Sequence, residues 1–198
     1  MKKNKDDFGY LYNEKEHKAT IRRDMTLVYD IMTWGFGIFA SIFLGVMLIY
    51  FVGIKTSMVG AAMEPNLFNG EEVLINRIIY QFSSPKRGDV IAFYPNGNEN
   101  SHLYVRRILG LPGETIQIKQ GSVYINGEMY ALDTDTPDAG IAEELIELSN
   151  EEYFVIGDNR INCEDSRSAN IGNVTLDMIE GKIWYHLSYK DSGMGKVE

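Results

Sequence analysis

Residues 115–128 read TIQIKQGSVYINGE. The first five alternate, with Ile116 and Ile118 on one face and polar residues on the other, as in a half-buried strand. Gln120-Gly121 separates them from a second short apolar run, SVYI at 122–125, and Asn126-Gly127 follows as a turn. The stretch predicts a β-hairpin with a second turn behind it. Working outward, the same kind of run recurs between turn residues: EVLI at 72–75, VIAFY at 90–94, YVRRIL at 104–109, YFVI at 153–156 and GKIWYHL at 181–187. VIAFY is nearly all apolar and fits a strand covered on both faces. Residues 133–150 differ: Asp133, Asp135, Asp138, Glu143, Glu144 and Glu147 predict a solvated loop or short helix. The tail after Tyr189 is expected to be mobile.

One segment before this β-rich part has another character. Residues 31–54 read IMTWGFGIFASIFLGVMLIYFVGI, 24 residues without a charge. At about 1.5 Å rise per residue such a helix crosses a ~30 Å hydrocarbon layer with some tilt. It is too long, and begins too far from the start, for the apolar region of a cleaved signal peptide. Residues 1–30 carry seven bases, including Arg22 and Arg23, whereas only Lys55 lies close on the other side. Basic flanks stay cytoplasmic, so the N-terminus is expected inside and the β part outside. The sequence therefore divides into a basic cytoplasmic segment, 1–30, a transmembrane helix, 31–54, an exported β domain, 55–189, and a tail, 190–198. The exported part has 12 bases against 22 acids. This balance, within a chain of net charge −9, argues against a nucleic-acid partner. A single cysteine, Cys163, excludes an internal disulfide and a multi-cysteine zinc site. His17, His102 and His186 do not have metal-ligand spacing.

Four short motifs follow the apolar run in order: VGAAMEPNL at 59–67, KRGDVIAF at 86–93, YVRRILGLPGE at 104–114 and GDNRINCEDSR at 157–167. Each alone is weak, since GLPG and GDN are ordinary turn chemistry. In this order, behind an N-terminal anchor, they resemble the type I signal peptidases, membrane-anchored serine proteases that remove signal peptides from exported proteins. The resemblance runs from the anchor to about Leu187. It implies a mainly β fold, a twisted antiparallel assembly with its active site toward the membrane surface. It also implies a bacterial cell-membrane location and chemistry without a cofactor or metal.

In that family a serine attacks the scissile carbonyl. An unprotonated lysine in an apolar pocket takes the serine proton, and a backbone N–H stabilises the oxyanion. Here Ala62 falls at the nucleophile position and Arg106 at the general-base position. Alanine has no nucleophilic atom, and a guanidinium stays protonated near neutral pH. Cys163 replaces a serine that resembles the family's hydroxyl contact to the lysine, and Asn66 replaces the usual threonine. Because lysine position and neighbour change together with the serine, natural loss explains Ala62 better than an engineered trap. The resemblance places Gly60, Ala61, Met63 and Pro65 along the substrate groove. It makes Gly157, Asp158, Asn159, Arg160, Asp165, Ser166 and Arg167 the scaffold of the active-site loop, with Asp165 and Arg167 as a buried pair.

Two functions stay open at this stage. One is a catalytically inactive relative that binds extended segments of exported preproteins, surface proteins or a membrane-protein partner, in contact with membrane lipid. The other is a working signal peptidase with a non-standard nucleophile, for which Cys163 is the candidate. Ser57, in a misplaced Ser-Met dipeptide, lacks the following Pro and reads as a membrane-exit residue.

Overall fold

The computed structural model describes residues 6–52, 54–130, 136–161, 163–187 and 193–197, with only the backbone of 6–24 and 49–52. The chain divides into two units at Leu48/Ile49. The first is helical: α1 spans Asp6–Val52. Within it Met25–Leu48, 24 residues, is long and apolar enough to cross a membrane. Apolar side chains occupy every face, Trp34, Phe36 and Phe39 among them, so no single stripe is set aside for a protein core. The helix ends at Val52, and Ile54 already lies in a strand. The expected span to residue 54 therefore overshoots, because an uncharged run carries no stop signal where helix passes to strand.

The second unit is mainly β. In chain order its strands are β1 (Ile54–Ser57), β2 (Glu72–Asn76), β3 (Val90–Phe93), β4 (Tyr104–Gly110), β5 (Thr115–Lys119), β6 (Ser122–Ile125), β7 (Glu128–Tyr130), β8 (Ile146–Glu147), β9 (Glu152–Ile156), β10 (Val174–Thr175), β11 (Ile179–His186) and β12 (Gly195–Lys196). A short helix, α2 (Ile79–Phe82), follows β2. Every pairing is antiparallel. The larger sheet runs β1-β2-β11-β3-β4-β9-β10, with β12 added to β11. The smaller runs β7-β6-β5-β8.

The opening hairpin forms as its sequence requires. Lys119 pairs with Ser122 and Ile125 with Glu128. The intervening Gln120-Gly121 and Asn126-Gly127 all take positive φ, between 51° and 80°. Two such residues in succession make a type I′ turn, whose twist matches that of the strands it joins. β3 is buried at all four positions, between β11 and β4.

The acidic segment is less solvated than its charge suggests. Its described part holds a 3₁₀ turn at Gly140–Glu143 and strand β8. Ala142 and Leu148 join Ile116, Ile118 and Phe154 in one apolar cluster. Ala139 and Ile146 pack against the same cluster and Thr136 is wholly buried, so a few small and apolar residues seat a chain whose carboxylates face water. Residues 133–135 lie outside the described residues. Of the tail, 193–197 are described, and Gly195–Lys196 pair with β11 instead of hanging free.

Candidate active site

The site begins where β9 leaves the larger sheet. β4 pairs with β3 along Tyr104–Arg107, but it meets β9 only from Arg107, opposite Ile156. Ile108 exchanges main-chain bonds with Gly88 and Asp89 on the β3 side, at 2.9 Å each. Main-chain groups alternate sides along a strand, so those of Val105 face the side that β9 has vacated. The chain after Ile156 turns away at Gly157. A Cβ there would lie 2.2 Å from Cys163 Sγ and 2.6 Å from the Ala62 oxygen, so only glycine lets the three pack together.

The result is a cleft of about 330 Å³ lined by Gly60, Ala61, Ala62, Tyr104, Arg106 and Cys163, with Val59, His102, Leu103 and Glu164 at the same wall. Ala62, Arg106 and Cys163 thus share one cleft. Gly60 and Ala61 line it as expected. Met63 does not: it is wholly buried in the apolar cluster with Met58, Leu67 and Val73. Pro65 is exposed, behind a cis peptide bond, and lies outside the cleft wall. In a tight turn successive side chains diverge, so the expectation of a groove from 60 to 65 holds only for its first residues.

Arg106 is 6% exposed. Its Nε and Nη2 donate to the main-chain oxygen of Glu164, at 2.9 and 2.6 Å. Its Nη1 donates to the oxygen of Val105 at 2.6 Å. The guanidinium carbon lies 5.0 Å from the centre of the Tyr104 ring. Tyr104 in turn donates its hydroxyl to the Glu164 carboxylate at 3.2 Å. Burial and that carboxylate both push the phenol up, which keeps it a donor. Arg106 is therefore a strut between β4 and the 157–167 loop. Ala62 contributes a methyl group and a backbone N–H, and that N–H finds no acceptor among the described residues. Burial first, then the negative charge of Asp165, push the Cys163 thiol up to about 12, against the opposing pull of Arg106. A thiol held protonated is a poor nucleophile.

The remaining motif residues hold this arrangement. Asn159 grips the Ala62 turn twice, through its N–H to the Ala62 oxygen at 3.0 Å and its Nδ2 to the Ala61 oxygen at 3.1 Å. Asp158 accepts two bonds from Arg107, at 2.8 and 2.7 Å, and one from Asn66 Nδ2 at 2.7 Å. Asn66, expected from the sequence to stand in place of a threonine, reaches that carboxylate through its side-chain amide nitrogen. Ser166 accepts from the Val155 N–H at 2.9 Å. Asp165 and Arg167 form the expected buried pair. Burial alone would pull Arg167 down, but the bond and charge of Asp165 outweigh it and its pKa rises. Arg160 is buried with only Thr136 Oγ1 in reach of Nη1, at 3.3 Å, and burial pulls its pKa down.

Sequence reading did not find Tyr104, His102 or Glu164 as cleft residues. It also missed the buried Glu71, which accepts from Phe68 N–H at 2.8 Å and meets His186 Nδ1 at 2.7 Å, tying the 58–71 loop to β11. These positions carry no local pattern, and only the folded chain brings them together.

A mainly antiparallel β unit thus brings three of the four motif segments, 59–67, 104–114 and 157–167, to one cleft. The sequence model of the family described as "Signal peptidase, peptidase S26" matches residues 31–187. The chain belongs to that family. It is 32% identical to signal peptidase I T of Bacillus subtilis (strain 168) over 76% of this chain and 81% of that one. It is 32% identical to signal peptidase I P of Bacillus subtilis subsp. natto over 77% of this chain and 86% of that one. A crystal structure of a signal peptidase I from Enterococcus faecalis V583 matches at 28% identity with a TM-score of 0.41, covering 51% of this chain and 97% of that one.

Proposed function

We propose that this protein is a signal-peptidase-type membrane protein that holds extended segments of exported proteins in its cleft without cutting them. The observation that carries the reading is the pair of side chains at the dyad positions. Ala62 offers a methyl group where a hydroxyl would attack, and Arg106 puts N–H donors, three of them bonded to Glu164 and Val105, where a base would wait. A serine protease needs a nucleophile and a proton acceptor within hydrogen-bond reach of one another. The side chains at positions 62 and 106 supply neither. The reading of Cys163 as a substitute nucleophile gains no support from a thiol pushed to about 12.

Retention of the scaffold supports binding. Gly157, Asp158, Asn159, Asp165, Ser166 and Arg167 still fix the turn that carries Ala62. A cleft beside an open strand edge suits an extended peptide, which adds as a further strand. In this reading the segment before the apolar run is cytoplasmic, the apolar part of α1 anchors the chain and the β unit stands outside the bacterial membrane, where preproteins or a surface-assembly partner reach the cleft.

A photo-crosslinking residue at Ala61 in the detergent-solubilised full chain tests it. Incubation with a purified preprotein should give an adduct containing the uncut preprotein. An adduct confined to mature product, or none above that of a folded protein without a signal sequence, would overturn the reading.

A further inference from the structure

Arg106 is a buried cation with no carboxylate bonded to it among the described residues. Its partners are the oxygens of Glu164 and Val105 and the face of Tyr104. No carboxylate is among them. A guanidinium has five N–H donors, and the three bonds leave two without an acceptor. Buried charges are ordinarily paired, because an unpaired one keeps its desolvation cost. Arg106 lines the cleft, so the missing anion has a place to enter.

The strand edge gives the anion a chemical form. The Val105 carbonyl faces the side vacated by β9, where an incoming strand would offer it a peptide N–H. Nη1 of Arg106 occupies that carbonyl. At this position the edge therefore presents donors instead of an acceptor. A peptide that runs on brings a further N–H to a place already filled by N–H groups. A peptide that ends there brings two oxygens and a negative charge, the partner a guanidinium meets best.

We propose that the cleft takes the free C-terminal end of a peptide, with Arg106 recognising the terminal carboxylate. This rests on the peptide-binding reading of the same cleft. Four other ionisable side chains line it, and the thiol of Cys163 and the phenol of Tyr104 are both shifted toward their neutral forms. Glu164, the acidic one, is exposed and accepts from Tyr104 and Asn170, so solvent screens it more than the buried Arg106. His102 opposes no anion. Alanine at position 62 leaves a methyl-sized wall beside the carboxylate instead of a hydroxyl.

The test is fluorescence anisotropy on the full chain in detergent, with labelled peptides ending Ala-x-Ala. One ends as the free acid, one as the carboxamide, one continues for five residues, and one is a carboxamide with an Asp in place of the middle residue. The free acid should bind at least about tenfold tighter than the carboxamide and the continued peptide. Arg106→Met should remove that preference. Equal binding of free acid, carboxamide and continued peptide would overturn the inference while leaving the peptide-binding reading in place. So would an advantage of the Asp-bearing carboxamide over the free acid. Binding of none of the four overturns both. The comparison of peptides on the unaltered chain decides the matter even if Arg106→Met does not fold.

Discussion

The carboxylate of Asp165 and the guanidinium of Arg167 lie side by side, Oδ1 at 2.9 Å from Nε and Oδ2 at 2.9 Å from Nη2. Asp165 is wholly buried and Arg167 nearly so. The same carboxylate accepts the N–H groups of Gly157 and Arg167 at 3.0 Å each. Arg167 continues outward to the main-chain oxygens of Asp138 and Arg160, at 2.8 and 2.9 Å. One ion pair thus closes the loop that carries Gly157 and Cys163 to the cleft. Removing one partner of a buried pair leaves the other charged and unpaired, at a cost of ~3–5 kcal/mol. Asp165→Asn should lower the unfolding free energy by about that amount in a urea titration, and Asp165→Ala by no less.

Gly157 supports a second expectation. A methyl group there meets Cys163 Sγ at 2.2 Å and the Ala62 oxygen at 2.6 Å. Overpacking of this kind costs about 1–3 kcal/mol. Gly157→Ala should destabilise the chain by that order. Adding Cys163→Ala should restore only part of the loss, since the backbone oxygen of Ala62 remains in the way. Full restoration in the double variant would show that the Ala62 turn is not held where the structure puts it.

Cys163 gives a pH-dependent expectation. Its thiol is raised in the folded state to about 12, from the ordinary value of about 8.5. The thiolate fraction at pH 8 is then smaller by roughly a thousandfold than for an open thiol. Alkylation by iodoacetamide at pH 8 should be at least about a hundredfold slower in the folded chain than in urea. The linkage has a definite sign. The folded state keeps its proton when the unfolded state has lost it, so this group's contribution to stability is complete below the unfolded pKa. It declines as pH rises through about 9 towards 12. Tyr104 and Tyr153 are raised as well, so the part due to the thiol is the difference in the alkaline melting curve between the chain and Cys163→Ala. A fast-labelling thiol at pH 7 would contradict this account of the cleft.

The hairpin at 115–125 and the buried strand at 90–93 were legible in the sequence because their signals are local. Alternation set the face, and two dipeptides that accept positive φ set the turns. The meeting of three motif residues was legible for another reason: motif order suggested that Ala62, Arg106 and Cys163 lie near one another, and they share a cleft. What failed was everything decided by packing across the chain. Met63 is a core residue and not part of the groove wall. Residues 146–147 form a strand although their neighbours are acidic, because Leu148 and Ala142 reach the core of the smaller sheet. The boundary at Ile54 and the strand at Gly195–Lys196 depend on pairing partners outside their own segments, Ile75 and His186. The committed donors of Arg106 were likewise invisible, since the Glu164 oxygen lies 58 residues away in sequence.

The central claim is that the scaffold persists while the proton chemistry is gone, and cleavage of a purified preprotein in detergent tests it most directly. Four proteins are compared: the chain itself, Cys163→Ala, Ala62→Ser, and Ala62→Ser with Arg106→Lys. The account predicts no cleavage by the first three and cleavage after an Ala-x-Ala segment by the double variant. Serine restores the nucleophile, lysine restores a base that can lose its proton, and the Ala62 turn is already held by Asn159. Cleavage by the unaltered chain that disappears in Cys163→Ala would contradict the account and make this protein a cysteine-dependent peptidase.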